Sequence, residues 1–125
     1  MSGSRVLIID DEPAIRLLCR VNLEAEGFAV DEAGDGDSGI AAARRNRPDA
    51  ILLDVMLPGD DGFAIAERLH ADPDLAAVPI IFLTARADLD EGERLRRSGA
   101  VGFLTKPFNP LDLAGAVRRA QSPDR

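Results

Sequence analysis

The sequence predicts an α/β protein: a doubly wound parallel sheet with helices on both faces. Two observations carry this. Short apolar runs suited to strands alternate five times with segments of helical periodicity. Alternation of that kind implies right-handed crossovers that cover both faces of the sheet. Four of the runs, residues 6–9, 50–53, 78–83 and 101–104, lead into polar residues: the pair Asp10 and Asp11, then Asp54, Thr84 and Lys106. In an open parallel sheet the carboxyl ends of the strands share one edge, and ligands bind there. These residues, distant in sequence, are therefore expected to converge.

The first strand covers residues 5–10. A helix over residues 13–26 follows, with Ile15, Leu18, Cys19 and Leu23 spaced to line one face, and Gly27 ends it. Residues 28–33 form a short second strand. The second helix runs over residues 37–46, capped by Asp35 and Asp37, and stops before Pro48. Residues 50–53 are the third strand. A loop over residues 55–61 holds Pro58 and Gly59. The third helix starts at Asp61 and Gly62, carries Phe63, Ala66 and Leu69, and breaks at Asp72, Pro73 and Asp74.

Residues 78–83 are continuously apolar, as a strand buried on both faces should be. A fourth helix over residues 88–98 is acidic early and basic late, with Gly99 as its cap. Its only apolar positions are Leu89 and Leu95, and Gly92 costs about 1 kcal/mol relative to Ala. It reads equally as a mobile element or as a plain surface helix. Residues 101–104 are the fifth strand. Asn109 is the N-cap of the last helix, with Pro110 at its first position, and the helix runs to about Gln121. A single domain spanning residues 1–125 is expected, its core at about 5–121 and its end frayed.

Composition narrows the function. With 46% hydrophobic and 30% charged residues the chain is globular rather than disordered. No apolar run approaches spanning length and the first residues lack a signal peptide's apolar stretch, so a cytoplasmic protein without membrane contact is expected. The lone Cys19 has no internal disulfide partner, fits a reducing compartment and is expected in the core. A net charge of −7 argues against direct nucleic-acid binding. Arginines do cluster, at Arg44, Arg45 and Arg47, at Arg94, Arg96 and Arg97, and at Arg118 and Arg119. Each cluster falls at a predicted helix C-terminus, where it complements the dipole.

Three carboxylates, a hydroxyl and an ammonium at one edge have a chemistry of their own. Two like charges about 4 Å apart repel by roughly 4 kcal/mol at an effective dielectric near 20. One Lys106 does not neutralise Asp10, Asp11 and Asp54. Either a carboxyl takes a proton or a divalent cation binds, and Mg²⁺ suits hard oxygen ligands beside a phosphate. Asp54 can then act as a nucleophile toward phosphorus. Phosphoryl transfer needs mainly positioning and neutralisation of oxygen charge, which Lys106, the hydroxyl of Thr84 and backbone N–H groups after Asp54 can supply.

The ordered set Asp10-Asp11-Glu12, Asp54-Val55-Met56-Leu57-Pro58-Gly59 with Asp61-Gly62, Thr84-Ala85 and Lys106-Pro107-Phe108 resembles the receiver domain of bacterial two-component response regulators. That resemblance implies a flavodoxin-like (βα)5 fold with strand order 2-1-3-4-5. It implies Asp54 as the phosphoacceptor, accepting a phosphoryl group from a sensor histidine kinase, a phosphotransfer protein or a small acyl phosphate. It further implies Asp11 as a direct Mg²⁺ ligand, Asp10 acting mainly through water, and the backbone carbonyl of Met56 as a third ligand. Lys106 pairs with the phosphoryl group, Thr84 moves toward it, and Phe103 takes the switch-aromatic position. The Lys106–Pro107 bond is expected to be cis. The output is a changed surface on the fourth helix, fifth strand and fifth helix, read by a downstream effector or an output domain.

Other residues refine the expectation. Phe103 has no hydroxyl, so its switching rests on packing. Met56 and Arg86 lie two residues beyond Asp54 and Thr84 and flank the path of a hydrolytic water in this family. Met56 offers no hydrogen bond to orient it, so a long-lived phosphoryl group is expected. Val101-Gly102 replaces the acidic residues with which many transcription-factor receivers build a symmetric dimer. His70 is expected to be a solvated histidine, not a relay. Two rival readings fare worse. An aspartyl phosphatase of the haloacid dehalogenase kind needs a second Asp where Met56 stands. A flavin module would want a neutral phosphate-binding loop after the first strand, and Asp10-Asp11-Glu12 would repel the phosphate.

Overall fold

The computed structural model describes residues 4–85 and 100–121. The expected fourth helix, with its arginine cluster and Gly99, lies outside the described residues, as do Arg86 and the C-terminal tail. Five strands form one parallel sheet: β1 (Arg5–Ile9), β2 (Ala29–Ala33), β3 (Ala50–Asp54), β4 (Ile80–Thr84) and β5 (Gly102–Thr105). Their order is β2-β1-β3-β4-β5, as the resemblance implies.

Alternating side chains on these strands feed two cores. Leu7, Ile9, Ile51, Leu53, Ile80 and Phe82 point to the face covered by helices α2 (Gly36–Arg45) and α3 (Gly62–Ala71). Val6, Ile8, Leu52, Ile81 and Leu83 point to the face covered by α1 (Pro13–Ala25) and the C-terminal helix (Leu113–Gln121). This explains why the central strands are uninterrupted apolar runs: both faces are buried. Phe82 is fully buried and its ring lies 4.8 Å from that of Phe63 on α3, tilted by 47°, a favourable aromatic geometry.

Helix ends follow the expected chemistry. Gly27 follows α1 at φ +92°, a left-handed conformation that glycine adopts without a Cβ penalty. There its N–H bonds Glu24 O while the Phe28 N–H bonds Leu23 O, closing a Schellman motif. Asp35 caps α2 by accepting from the Ser38 N–H, and Asp61 caps α3 by accepting from Phe63. Asp37 sits in the first turn of α2 rather than capping it, and pairs with Arg68 at 3.2 Å. Asn109 accepts from Leu111, opening a 3-10 turn over Pro110–Asp112 before the last helix.

Some expectations shift. The fourth strand begins at Ile80, not Val78, because Val78 closes a turn by donating to Leu75 O and Pro79 has no N–H to donate. Leu18 is 37% exposed, so the buried stripe of α1 runs through Cys19 and Leu23 with Ile15 beside it. His70 is half-buried rather than solvated, with Nε2 3.3 Å from Val78 O at the far end of α3. Cys19 is in the core, and burial, helped by the charge of Asp10, pushes its thiol up to about 12. It is therefore inert as a nucleophile.

Candidate functional site

The strand ends do converge. Asp10 follows β1, Asp54 ends β3, Thr84 ends β4, and Lys106 follows β5. Carboxylate oxygens of Asp10, Asp11 and Asp54 lie within 4.8 Å of one another. The Lys106 ammonium is 2.8 Å from Asp10 Oδ2 and 3.3 Å from both Asp54 Oδ2 and Glu12 Oε1. Asp10, Asp54 and Thr84 are buried, whereas Asp11 is open to solvent.

Local backbone geometry explains the convergence. Asp10 extends β1 by one bond, its N–H reaching Ala33 O at 3.1 Å, and its Oδ1 then accepts from the Glu12 N–H at 2.9 Å. After β3 the chain does not run as a plain loop over residues 55–61 but reverses through a two-residue antiparallel ladder, Met56–Leu57 against Asp60–Asp61. This reversal brings Gly62 against β3: its N–H bonds Val55 O at 2.7 Å, and a Cβ there would stand 2.4 Å from the Asp54 carbonyl oxygen. Only glycine permits that approach. Asp54 Oδ1 accepts from the Met56 N–H at 3.0 Å, leaving Oδ2 toward Lys106. Across the sheet the Lys106 N–H bonds Thr84 O at 2.7 Å, and the Lys106–Pro107 bond is cis.

The charges are poised against one another. Burial raises the Asp54 pKa above its ordinary value; the Met56 N–H opposes this, Asp10 adds to it and Lys106 opposes it again. Burial pulls the Lys106 ammonium down, but the hydrogen bond and charge of Asp10, then Asp54 and Glu12, more than offset it and leave its pKa raised. Asp54 is thus an ionisable group that its surroundings strain, beside an amine held in its charged form at neutral pH. Hard carboxylate oxygens in this number suit a divalent cation that takes oxygen ligands.

Phe103 is 43% exposed on the edge strand β5, and Met56 is 72% exposed at the mouth of the site. Glu12 and Arg16, to which the strand-end pattern assigns no role, also reach the cluster, Arg16 Nη1 donating to Asp10 O at 2.6 Å. A cation in the first turn of a helix opposes the dipole, so Arg16 there was a signal that it serves another partner.

Residues 6–118 match the family model of the response regulator receiver domain. The chain is a receiver domain of the response regulator family. This receiver domain is 44% identical over 114 residues to the DNA-binding dual master transcriptional regulator RpaA of Synechocystis sp., covering 91% of this chain and 47% of RpaA. The chain thus spans about half the length of that relative. Among solved structures, chemotaxis protein CheY4 of Vibrio cholerae superposes with a TM-score of 0.90 at 31% identity, covering 95% of this chain and 99% of CheY4. The receiver domain of sensor histidine kinase PA1611 from Pseudomonas aeruginosa, with a magnesium ion coordinated in its active site cleft, gives 0.87 at 32% identity, over 96% and 98% of the two chains. No helix among the described residues is long and apolar enough to cross a membrane.

Proposed function

We propose that this receiver domain takes a phosphoryl group onto Asp54 with Mg²⁺ bound, and so acts as a phosphoacceptor signalling module rather than a turnover enzyme. The observation that carries this is the meeting of three carboxylates within 4.8 Å of one another beside the Lys106 ammonium. Asp11, Asp54 and the Met56 carbonyl would hold the ion, with Asp10 acting through water, in line with the magnesium reported for the PA1611 receiver. The bound ion supplies charge neutralisation for phosphoryl oxygens.

The protein's own groups account for the rest. An Asp54 oxygen attacks phosphorus in line, the new O–P bond forms as the donor's P–N or P–O bond breaks, and the donor leaves with that electron pair. The Met56 N–H holds the other oxygen and fixes the attack direction. Lys106, already charged and within 3.3 Å of Asp54, offsets charge on the arriving phosphoryl oxygens. Thr84 ends the adjacent strand and offers its hydroxyl to another oxygen. Phosphorylation adds about 1.5 to 2 negative charges, drawing Thr84 and Lys106 inward and repacking Phe103. The surface around β5 and the C-terminal helix then changes for a downstream effector or output domain.

Residues 1–125 are read as one receiver domain, cytoplasmic, served by a histidine kinase or phosphotransfer protein, and without direct nucleic-acid or membrane contact of its own. The net charge of −7 supports that last reading. Incubation with acetyl phosphate and Mg²⁺, followed by intact mass spectrometry, tests the proposal. One phosphoryl group is expected on the wild type and none on Asp54→Ala; equal modification of both would overturn it.

A further inference from the structure

We propose that Arg16 is a positioning residue for the metal-binding carboxylates, clamping the Asp10–Asp11 peptide by tying the Asp10 carbonyl to Glu32. The inference rests on the Mg²⁺ reading above. Arg16 Nη1 donates to Asp10 O at 2.6 Å while its Nε donates to Glu32 Oε1 at 3.1 Å. Glu32 belongs to β2, the neighbour of β1, so one guanidinium staples a helix to two strand ends. Glu32 also pairs with Arg20, which in turn bonds Glu24 at 2.8 Å and does not touch Asp10.

The target of the clamp is specific. The other bonds to Asp10 hold its side chain to Glu12 and Lys106 and its N–H to Ala33. Among the described residues only Arg16 holds the peptide plane that leads into Asp11. Asp11 itself has no polar side-chain partner among the described residues, so the direction of its carboxylate is set by that plane. Rotation of the peptide would swing Asp11 away from Asp54. The charge of Arg16 is matched by Glu32, so its contribution is orientation, through a two-pronged fork that an ammonium does not reproduce.

The test is Mg²⁺ titration by calorimetry on wild type, Arg16→Met, Arg16→Lys and Arg20→Met, with amide NMR spectra in EDTA. Both Arg16 variants are expected to bind Mg²⁺ about tenfold more weakly, as loss of outer-shell support does elsewhere, with Arg20→Met within about twofold of wild type. In EDTA the Asp11 amide resonance shifts in the Arg16 variants and not in Arg20→Met. If Arg16→Met does not fold, Arg16→Lys decides. Wild-type affinity in Arg16→Lys overturns the clamp while leaving the Mg²⁺ reading intact. Absence of Mg²⁺ binding by the wild type overturns that reading, and the Asp11 resonance then still decides whether Arg16 fixes the peptide.

Discussion

Replacing Asp54 by Asn removes a charge while keeping the shape and an oxygen for the Met56 N–H. Asp54 lies within 4.8 Å of both Asp10 and Asp11, a distance at which each pair repels by about 3.5 kcal/mol at an effective dielectric near 20. Lys106 at 3.3 Å attracts it by about 5 kcal/mol on the same scale. Two repulsions against one attraction leave a penalty of about 2 kcal/mol, reduced because Asp11 is hydrated, so a gain of about 1–2 kcal/mol is expected for Asp54→Asn without metal. That corresponds to roughly 5–10 °C in Tm for a domain of this size. Burial acts in the same sense, and the Asp54 pKa is raised from 3.8. The folded state therefore binds this proton more tightly than the unfolded chain. Wild-type stability falls as pH rises from 3.8 through the raised folded value, so the Asn advantage appears across that window and is absent below it. Thermal unfolding followed by circular dichroism in EDTA, across that range, is the assay. Added Mg²⁺ should reverse the order, stabilising wild type by about 2.7 kcal/mol at a hundredfold excess over Kd and the Asn variant less. An Asn variant that melts below wild type in EDTA at neutral pH would refute the electrostatic reasoning.

Lys106→Met leaves the buried Asp10 and Asp54 unpaired and is expected to lose about 3–5 kcal/mol in urea unfolding, partly restored by Mg²⁺. Because the Lys106 pKa is raised, its contribution is fully present below 10.5 and lost as pH climbs through the folded value; this alkaline loss should be missing in the variant. Gly62→Ala drives a Cβ to 2.4 Å from the Asp54 carbonyl oxygen, costing about 1–3 kcal/mol and slowing phosphorylation by acetyl phosphate; unchanged kinetics would mean the loop moves freely. Phe82→Ala empties the centre of the α2–α3 face and should cost about 3–5 kcal/mol, read from the denaturation midpoint. Met56 gives water no hydrogen bond, so the phosphorylated protein should persist; a half-life of seconds by mass spectrometry would contradict this.

Alternation of apolar runs with helical segments, and the polar residue closing each run, was enough to anticipate the sheet and the edge where Asp10, Asp54, Thr84 and Lys106 meet, while the strand order followed only from the resemblance to receiver domains. Those features are local: period, caps and breakers act within a few residues. Asp35, Asp61 and Asn109 cap helices because a short acceptor beside free N–H groups does so wherever it stands. Less was legible where a residue's surroundings come from elsewhere in the chain. Leu18 was expected on the buried stripe of α1 and is exposed, because the neighbouring elements cover the Cys19 side. The ladder between Met56–Leu57 and Asp60–Asp61 has too few residues to show any periodicity.

The sequence by itself determined that this chain folds as a parallel α/β sandwich and carries a receiver's acidic edge, since hydrophobic period and strand-end chemistry are written residue by residue. Only the tertiary structure decided how those charges share space: which Asp54 oxygen faces Lys106, why Gly62 must lack a Cβ, and that Arg16 reaches back to the Asp10 carbonyl. Such contacts join residues up to 96 positions apart, and their distances arise from how the strands pack, which no local pattern encodes.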